Sequence, residues 1–302
     1  MTGSKMVIER YFKQDNWGEK IKKDLRPLVK LINGSGGEYS LQLRENYFNI
    51  YYQGNSLAKV EPNRNGTYTA TIHGRFLEGG TREKLAQYSF SQPSLKTGSQ
   101  SNYLRFRVKA QDIHPFFQRK HLDRLSSEIH KVHAGEEITM EQVLITDNPP
   151  TPDFIIIDRQ VADHLNKAQI DLLALIREPG EVAHHFVVIE VKLGRNPELR
   201  EKVGRQLSGY VEHIRKHIND YVSCYEKNYF QKKDLGLLQE DMPDSIAIDN
   251  NPETVEGLIV VCGYSGLAKE NIKCLKRAIE KNRWSISVHQ TLMTLNLDQP
   301  IA

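Results

Sequence analysis

The chain has 302 residues, 39% of them hydrophobic, with 41 Lys+Arg against 38 Asp+Glu and a formal net charge of +3. Nearly balanced charge argues against dominant disorder, no apolar run approaches the ~20 residues of a bilayer span, and the polar start Met1–Lys13 lacks the apolar stretch of a signal peptide. Cys224, Cys262 and Cys274 are too few for a disulfide framework and fit no CxxC zinc spacing, so they read as reduced thiols of a cytoplasmic protein.

Ile8, Phe12, Ile21, Leu25, Leu28 and Leu31 recur at loose helical spacing, which predicts a helix over 7–31, with Pro27 near its end. After the loop Gly34-Ser35-Gly36-Gly37 come four short runs rich in Tyr, Thr, Ile and Val: Tyr39–Arg44, Tyr47–Tyr52, Ser56–Val60 and Thr67–His73. Gly54-Asn55 and Asn65-Gly66 supply turns, so an antiparallel meander is expected. Residues 91–102 read as a loop. Tyr103–Val108 alternates and reads either as a strand or as the start of a connector.

From Pro115 the pattern changes. Phe116, Phe117, Leu122, Leu125, Ile129 and Val132 predict an amphipathic helix over 116–133, and Asp147-Asn148-Pro149-Pro150 then breaks the chain. Three apolar strands follow, Phe154–Ile157, Ile170–Ile176 and His185–Val191. A helix then starts near Pro197 and runs at least to His217, with one apolar face. Leu258–Cys262 reads as a strand, Asn271–Lys281 as a helix and Trp284–Val288 as a last strand. The order is that of an α/β domain with a central mixed sheet. At roughly 100–200 residues per domain the length suggests two. A basic, β-rich N-terminal domain is expected over 1–110 and the α/β domain over 111–302.

Charge follows the same division. Residues 1–110 hold 18 basic and 9 acidic side chains, and residues 111–302 hold 23 and 29. A basic part joined to an acidic one fits contact with a polyanion through the first. It fits an ordinary solvated surface equally well.

The chemistry is concentrated in the α/β part. In Phe186-Val187-Val188-Ile189-Glu190-Val191-Lys192, four apolar residues lead into an acid and an amine that alternation sets on one face of a strand. A carboxylate and an ammonium at the end of a buried strand are costly unless paired or used. Asp171 lies one residue into the preceding apolar strand. A hairpin through Pro179-Gly180 would bring it across the ladder to Glu190. Two facing carboxylates favour a divalent cation between them, and oxygen ligands suit Mg²⁺ or Mn²⁺ better than Zn²⁺. On the following helix Gln206 and Tyr210 are four residues apart and share a face. Singly, each of these residues is as well explained as an ordinary ion pair or a boundary side chain.

Together, Asp171, then Glu190-Val191-Lys192, then Gln206-Leu207-Ser208-Gly209-Tyr210 resemble the PD-(D/E)XK nuclease superfamily, in the branch with a QxxxY helix motif, over about residues 115–290. Ile170 stands where that motif has proline. The resemblance implies a restriction-endonuclease-like core, a central mixed sheet flanked by helices. It implies that Asp171, Glu190 and the Val191 carbonyl hold Mg²⁺, with Mn²⁺ substituting. Lys192 would orient water or hold transition-state charge, Gln206 would position Lys192, the water or the phosphate, and Tyr210 would support Gln206. The family also has a carboxylate in its first helix, for which Glu128 is the candidate, equally readable as a solvated helix glutamate. Arg195, Arg200, Lys202 and Arg205 would contact the nucleic-acid backbone, or form a solvated helix face.

The expected activity is metal-dependent endonuclease cleavage of phosphodiester bonds, in double-stranded DNA first, in prokaryotic restriction, repair or defence. The alternatives are an inactive nuclease fold that binds DNA and a protein that recruits a partner. Monomer and homodimer both stay open, since cutting two strands often calls for two sites. Asp163-His164 and His184-His185 read as surface or core-boundary pairs before they read as ligands. Tyr47, Tyr51 and Tyr52 read either as base-stacking rings or as the half-buried face of a sheet. Gly263-Tyr264-Ser265-Gly266 lacks the Walker lysine and reads as a strand–helix turn.

Overall fold

A computed structural model describes residues 6–13, 17–95, 102–132, 135–165 and 169–291. The expected helix end at His133, part of the loop at 91–102 and the first five residues lie outside the described residues. The architecture is α/β, with two sheets each flanked by helices. Among the described residues no helix is long and apolar enough to cross a membrane.

The first sheet is an antiparallel meander of β1 (Tyr39–Arg44), β2 (Tyr47–Tyr52), β3 (Asn55–Pro62), β4 (Thr67–His73), β5 (Ser94–Leu95) and β6 (Tyr103–Lys109). The strand order is β1-β2-β3-β4-β6-β5. Tyr103–Lys109 is thus a full strand, paired along its length with β4. Its alternation explains the face it buries: Leu104, Phe106 and Val108 point into the core, while Tyr103, Arg105, Arg107 and Lys109 are exposed. Helices α1 (Glu19–Asn33), α2 (Thr81–Ala86), α3 (Ile113–Phe116) and α4 (Arg119–Val132) close the inner face. Leu25, Leu28, Phe48, Ile50, Phe106, Phe116 and Leu125 meet in this first core.

The helix predicted over 7–31 begins only at Glu19, and it continues past Pro27. Residues 7–13 run as extended chain because side chains take their amides. The N–H of Val7 donates to Asp220 (2.8 Å), that of Arg10 to Cys224 Sγ (3.1 Å) and that of Phe12 to Gln231 (2.8 Å). Ile8 and Tyr11 thereby enter the second core, and Phe12 the first.

The second sheet has the order β11-β10-β9-β8-β7. Its strands are β7 (Phe154–Val161), β8 (Ile170–Ile176), β9 (His185–Leu193), β10 (Glu256–Cys262) and β11 (Ile286–Thr291). β7, β8 and β9 are antiparallel to one another, whereas β9, β10 and β11 are parallel, so the sheet is mixed. Helices α6 (Lys202–Lys216), α7 (Ile218–Leu235) and α8 (Ser265–Asn282) cover one face. The other face packs Leu172, Ala174, Val187 and Ile189 against Met140, Leu144 and Ile145 of α5 (Glu136–Asp147).

Helix α4 packs in the first core through Leu122, Leu125 and Ile129. Residue 110 therefore does not part the two cores. Between them lies a buried polar network: Asp158 accepts from Arg44 (2.7 Å) and from the Tyr225 hydroxyl (3.1 Å), and Arg10 lies 3.7 Å away. Lys232 donates to Gln42 (2.8 Å) and to the Ile157 carbonyl in the same region.

Candidate functional site

Strands β8 and β9 pair with Leu172 opposite Ile189. The paired register ends there, one residue short of Asp171 and Glu190. Leu173 and Val188 point toward α6 and α7, while Leu172 and Ile189 point toward α5. Alternation puts Glu190 and Lys192 on the α6 side, at one end of the sheet. Ile170 packs with Leu173 in the α6-side core although Leu172 packs on the α5 side, so strict alternation breaks at Asp171. At this point Asp171 leaves the ladder pattern, and its Oδ2 accepts the Val191 N–H at 2.9 Å. The N–H and C=O of one strand residue point to the same side, so the Val191 carbonyl faces the same gap as Asp171.

Lys192 donates to Glu190 Oε1 at 2.7 Å and lies 3.9 Å from Glu137. Glu190 is 1% exposed and Lys192 7%. Gln206 on α6 donates to the same Glu190 oxygen (3.2 Å) and to the Tyr210 hydroxyl (2.9 Å). Tyr210 in turn donates to the Gln169 carbonyl (3.3 Å). The helix spacing that puts Gln206 and Tyr210 on one face is what makes this relay. Glu190 Oε2 is buried and has no hydrogen-bond partner among the described residues. A buried carboxylate oxygen without a donor is costly, and a cation at that point would satisfy it.

Electrostatics fit that reading. Burial, then the Asp171 charge, push the Glu190 carboxyl up to about 7. Burial raises Asp171 too, despite the opposing Val191 N–H and Lys192 ammonium. Lys192 stays above its usual range, because Glu190 and the neighbouring acids outweigh its desolvation. Two carboxyls that resist joint ionisation form a place where positive charge is welcome.

The sequence missed two acids here, Glu137 and Glu141, both on α5. Glu137 Oε1 accepts from the Leu193 N–H (3.2 Å) and from Asn196 (2.8 Å). Glu141 is buried, bonded to Arg159 (3.1 Å) and Gln160 (2.9 Å), and pushed up to about 7 by burial and then by Asp171. Helix α5 is hard to read because its apolar residues, Ile138, Met140, Val143, Leu144 and Ile145, are spread around the helix and Val143 is exposed, which leaves no clear apolar stripe. The i,i+4 spacing of Glu137 and Glu141 just after Gly135 was the available signal.

Glu128 lies elsewhere, which corrects its assignment to the site. It ion-pairs with Lys131 at 2.7 Å and borders a hollow with Glu78, Lys84 and Arg124. Because α4 belongs to the first core, none of the described bonds of Asp171, Glu190 or Lys192 comes from it. Arg195, Lys202 and Arg205 lie around the rim, each paired with a carboxylate: Glu136, Glu198 and Glu201. Arg200 donates to Asn271 at 3.1 Å. These pairs leave the four cations a weaker claim on phosphate than their charges suggested.

The remaining candidates resolve as structural. His184 is buried and bonds the Pro152 carbonyl at 2.9 Å. Asp163 takes His213 (2.5 Å) and the Tyr221 hydroxyl (2.8 Å). Tyr51 and Tyr52 are buried, with Tyr52 bonded to His130, so only Tyr47 of the three keeps an accessible ring. Gly263-Tyr264 is the left-handed turn into α8. Among the described residues, three metal-ligating side chains converge at Glu9, Glu45 and His164. The Lys13 ammonium, 2.9 Å from Glu9, already supplies positive charge there. Asp171 and Glu190 form a carboxylate pair beside an amine rather than a three-ligand cluster. No family model, curated protein or solved structure matches this chain.

Proposed function

We propose that this chain is a Mg²⁺-dependent nuclease of the PD-(D/E)XK type, with the second sheet and its helices as a restriction-endonuclease-like core. The observation that carries the reading is the partnerless buried oxygen of Glu190, set beside Asp171 and held in reach of Lys192 and Gln206.

Asp171, Glu190 and the Val191 carbonyl would hold the cation. When bound, a divalent ion supplies positive charge that offsets the developing phosphorane and makes water more acidic. The chain's own groups do the rest. Lys192 is a movable point charge suited to a phosphate oxygen or to the attacking water. Gln206 fixes Glu190 Oε1, and Tyr210 fixes Gln206, so the amine and the acid keep one geometry. Glu137 adds negative charge near Lys192 and ties the end of β9 to α5.

Incubation with plasmid, linear duplex, single-stranded DNA and RNA, with and without Mg²⁺, tests the reading. Cleavage by the wild type should need the metal. It should drop about a hundredfold or more in Asp171→Ala and in Lys192→Ala, the size expected for losing a transition-state charge partner. Equal cleavage by wild type and both variants on every substrate would sink the proposal.

A further inference from the structure

On the face of the first sheet away from its core, β1 meets α7 through Gln42 and Lys232, while β3, β4 and β6 carry mostly polar side chains. Strand β6, beside the two-residue edge strand β5, presents Tyr103, Arg105, Arg107 and Lys109 outward. Across the ladder, Arg105 faces Thr71 and Arg107 faces Thr69, while Lys59 on β3 sits over the Tyr47 ring at 4.1 Å. Arg105, Arg107 and Lys109 ion-pair with no carboxylate among the described residues, and the same holds for Arg75 at the end of β4. The rim cations of the candidate site are, by contrast, mostly neutralised. The free positive charge therefore lies on the sheet, not around the carboxylates.

A cavity of about 890 Å³ opens where this face meets the second sheet. Its near wall carries Tyr47, Asn49, Arg75 and Tyr103, and its far wall Gln160 and Gln169. Those two glutamines bond to each other. Gln160 also bonds Glu141, and the Gln169 carbonyl accepts from Tyr210. The cavity and the acidic site thus share a wall.

We propose that the open face of the first sheet is a docking platform for a single polynucleotide strand, which it leads along the cavity toward Asp171, Glu190 and Lys192. This rests on the nuclease reading above and names its substrate class. The cations of β6, with no described carboxylate partner, favour a polyanion on the sheet face; the carboxylates that line the cavity, Glu9, Glu45 and Asp163, are paired with Lys13, His164 and His213. The exposed Tyr103 ring, with the half-buried Tyr47 ring that Lys59 covers on one side, selects a strand whose base faces are free, since in a duplex those faces are already stacked. A cavity of this size holds a small ligand or a few nucleotides, not a double helix.

The test is fluorescence anisotropy with labelled dT20, U20 and a 20-base-pair duplex, using the full chain with Asp171→Ala to prevent cleavage. Single strands should bind at least tenfold tighter than the duplex. The charge reversal Arg105→Glu/Arg107→Glu/Lys109→Glu should weaken dT20 binding about tenfold or more and reduce the slope of log affinity against log salt by about 2, as expected for three lost phosphate contacts. Tyr103→Ala should cost about fivefold or more with the slope unchanged. All three reversed residues are exposed, and an unchanged thermal midpoint confirms that the variant folds; the neutral Arg105→Gln/Arg107→Gln serves if it does not. Comparison of dT20 with U20 reports which sugar is preferred. Unchanged affinity in the charge variants, equal or tighter duplex binding, or no binding at all would overturn the platform. Absence of cleavage by wild type would instead overturn the nuclease reading, so the two failures are separable.

Discussion

At Glu190 one carboxylate is asked to serve two neighbours at once. Oε1 takes Lys192 and Gln206, while Oε2 takes no donor among the described residues. Because burial and Asp171 raise this carboxyl to about 7, the folded protein keeps a proton that the unfolded chain releases near 4.5. Between those values the folded state binds more protons, so stability from this group falls as pH rises from about 4.5 to 7. A cation that binds only the folded, ionised site reverses the loss. Mg²⁺ should accordingly raise the thermal midpoint at pH 8 and do little at pH 5. Asp171→Ala should abolish the rise. Scans with and without the metal at the two pH values check this, and an equal response at both would contradict it. The nearness of these three side chains was legible in the sequence in part: Glu190 and Lys192 share a face and bond to each other, as strand alternation requires, and the hairpin after β8 brings Asp171 back to the Val191 N–H. Gln206 and Tyr210 were legible for the same kind of reason, on a helix.

Helix α5 is one element that the sequence did not disclose. It is held from both sides, by Met140, Leu144 and Ile145 against the second sheet and by two turns of the first. At one turn the Gly37 carbonyl accepts from Gln142 at 2.9 Å. At the other, the β2–β3 turn, Gly54 has φ +86, and a methyl group there would come within 2.4 Å of the Ile138 side chain and 2.8 Å of its carbonyl. Gly54→Ala combines a left-handed backbone with a backbone clash, and should cost about 1–3 kcal/mol in urea unfolding. It should also weaken any cleavage, because Ile138 adjoins Glu137. Full stability in that variant would mean that the two layers are not pressed together at this turn. The opposite lesson comes from residues 7–13. Ile8 and Phe12 have helical spacing, yet they are divided between two cores, and only tertiary partners such as Asp220, Cys224 and Gln231 decide that. Glu128 was misplaced for a related reason: helix α4 was legible, but the sheet it packs on was not.

Over the whole molecule, the buried charge around Asp158 joins strands and helices from both sheets. Burial alone would raise this carboxyl, but Arg44, then Arg10 and Lys232, hold it below its ordinary range. Lys232 itself is driven down to about 8, chiefly by burial. With the folded Asp158 value depressed, its contribution to stability is complete above the usual carboxylate range, near 4. That contribution is lost as pH falls through the lower folded value. Asp158→Asn leaves two buried guanidinium groups and an ammonium without their anion, and should cost about 3–5 kcal/mol. Urea titrations of both proteins at neutral pH check that figure; a difference below about 1 kcal/mol would show the network to be dispensable. The same stitching governs how the polypeptide can be divided. A cut at residue 110 would strip Phe116, Leu122, Leu125 and Ile129 of the sheet they cover and would take Ile8 and Tyr11 away from the helices that enclose them. Neither fragment would then be a finished object, and co-expressed halves would have to find each other before either could mature.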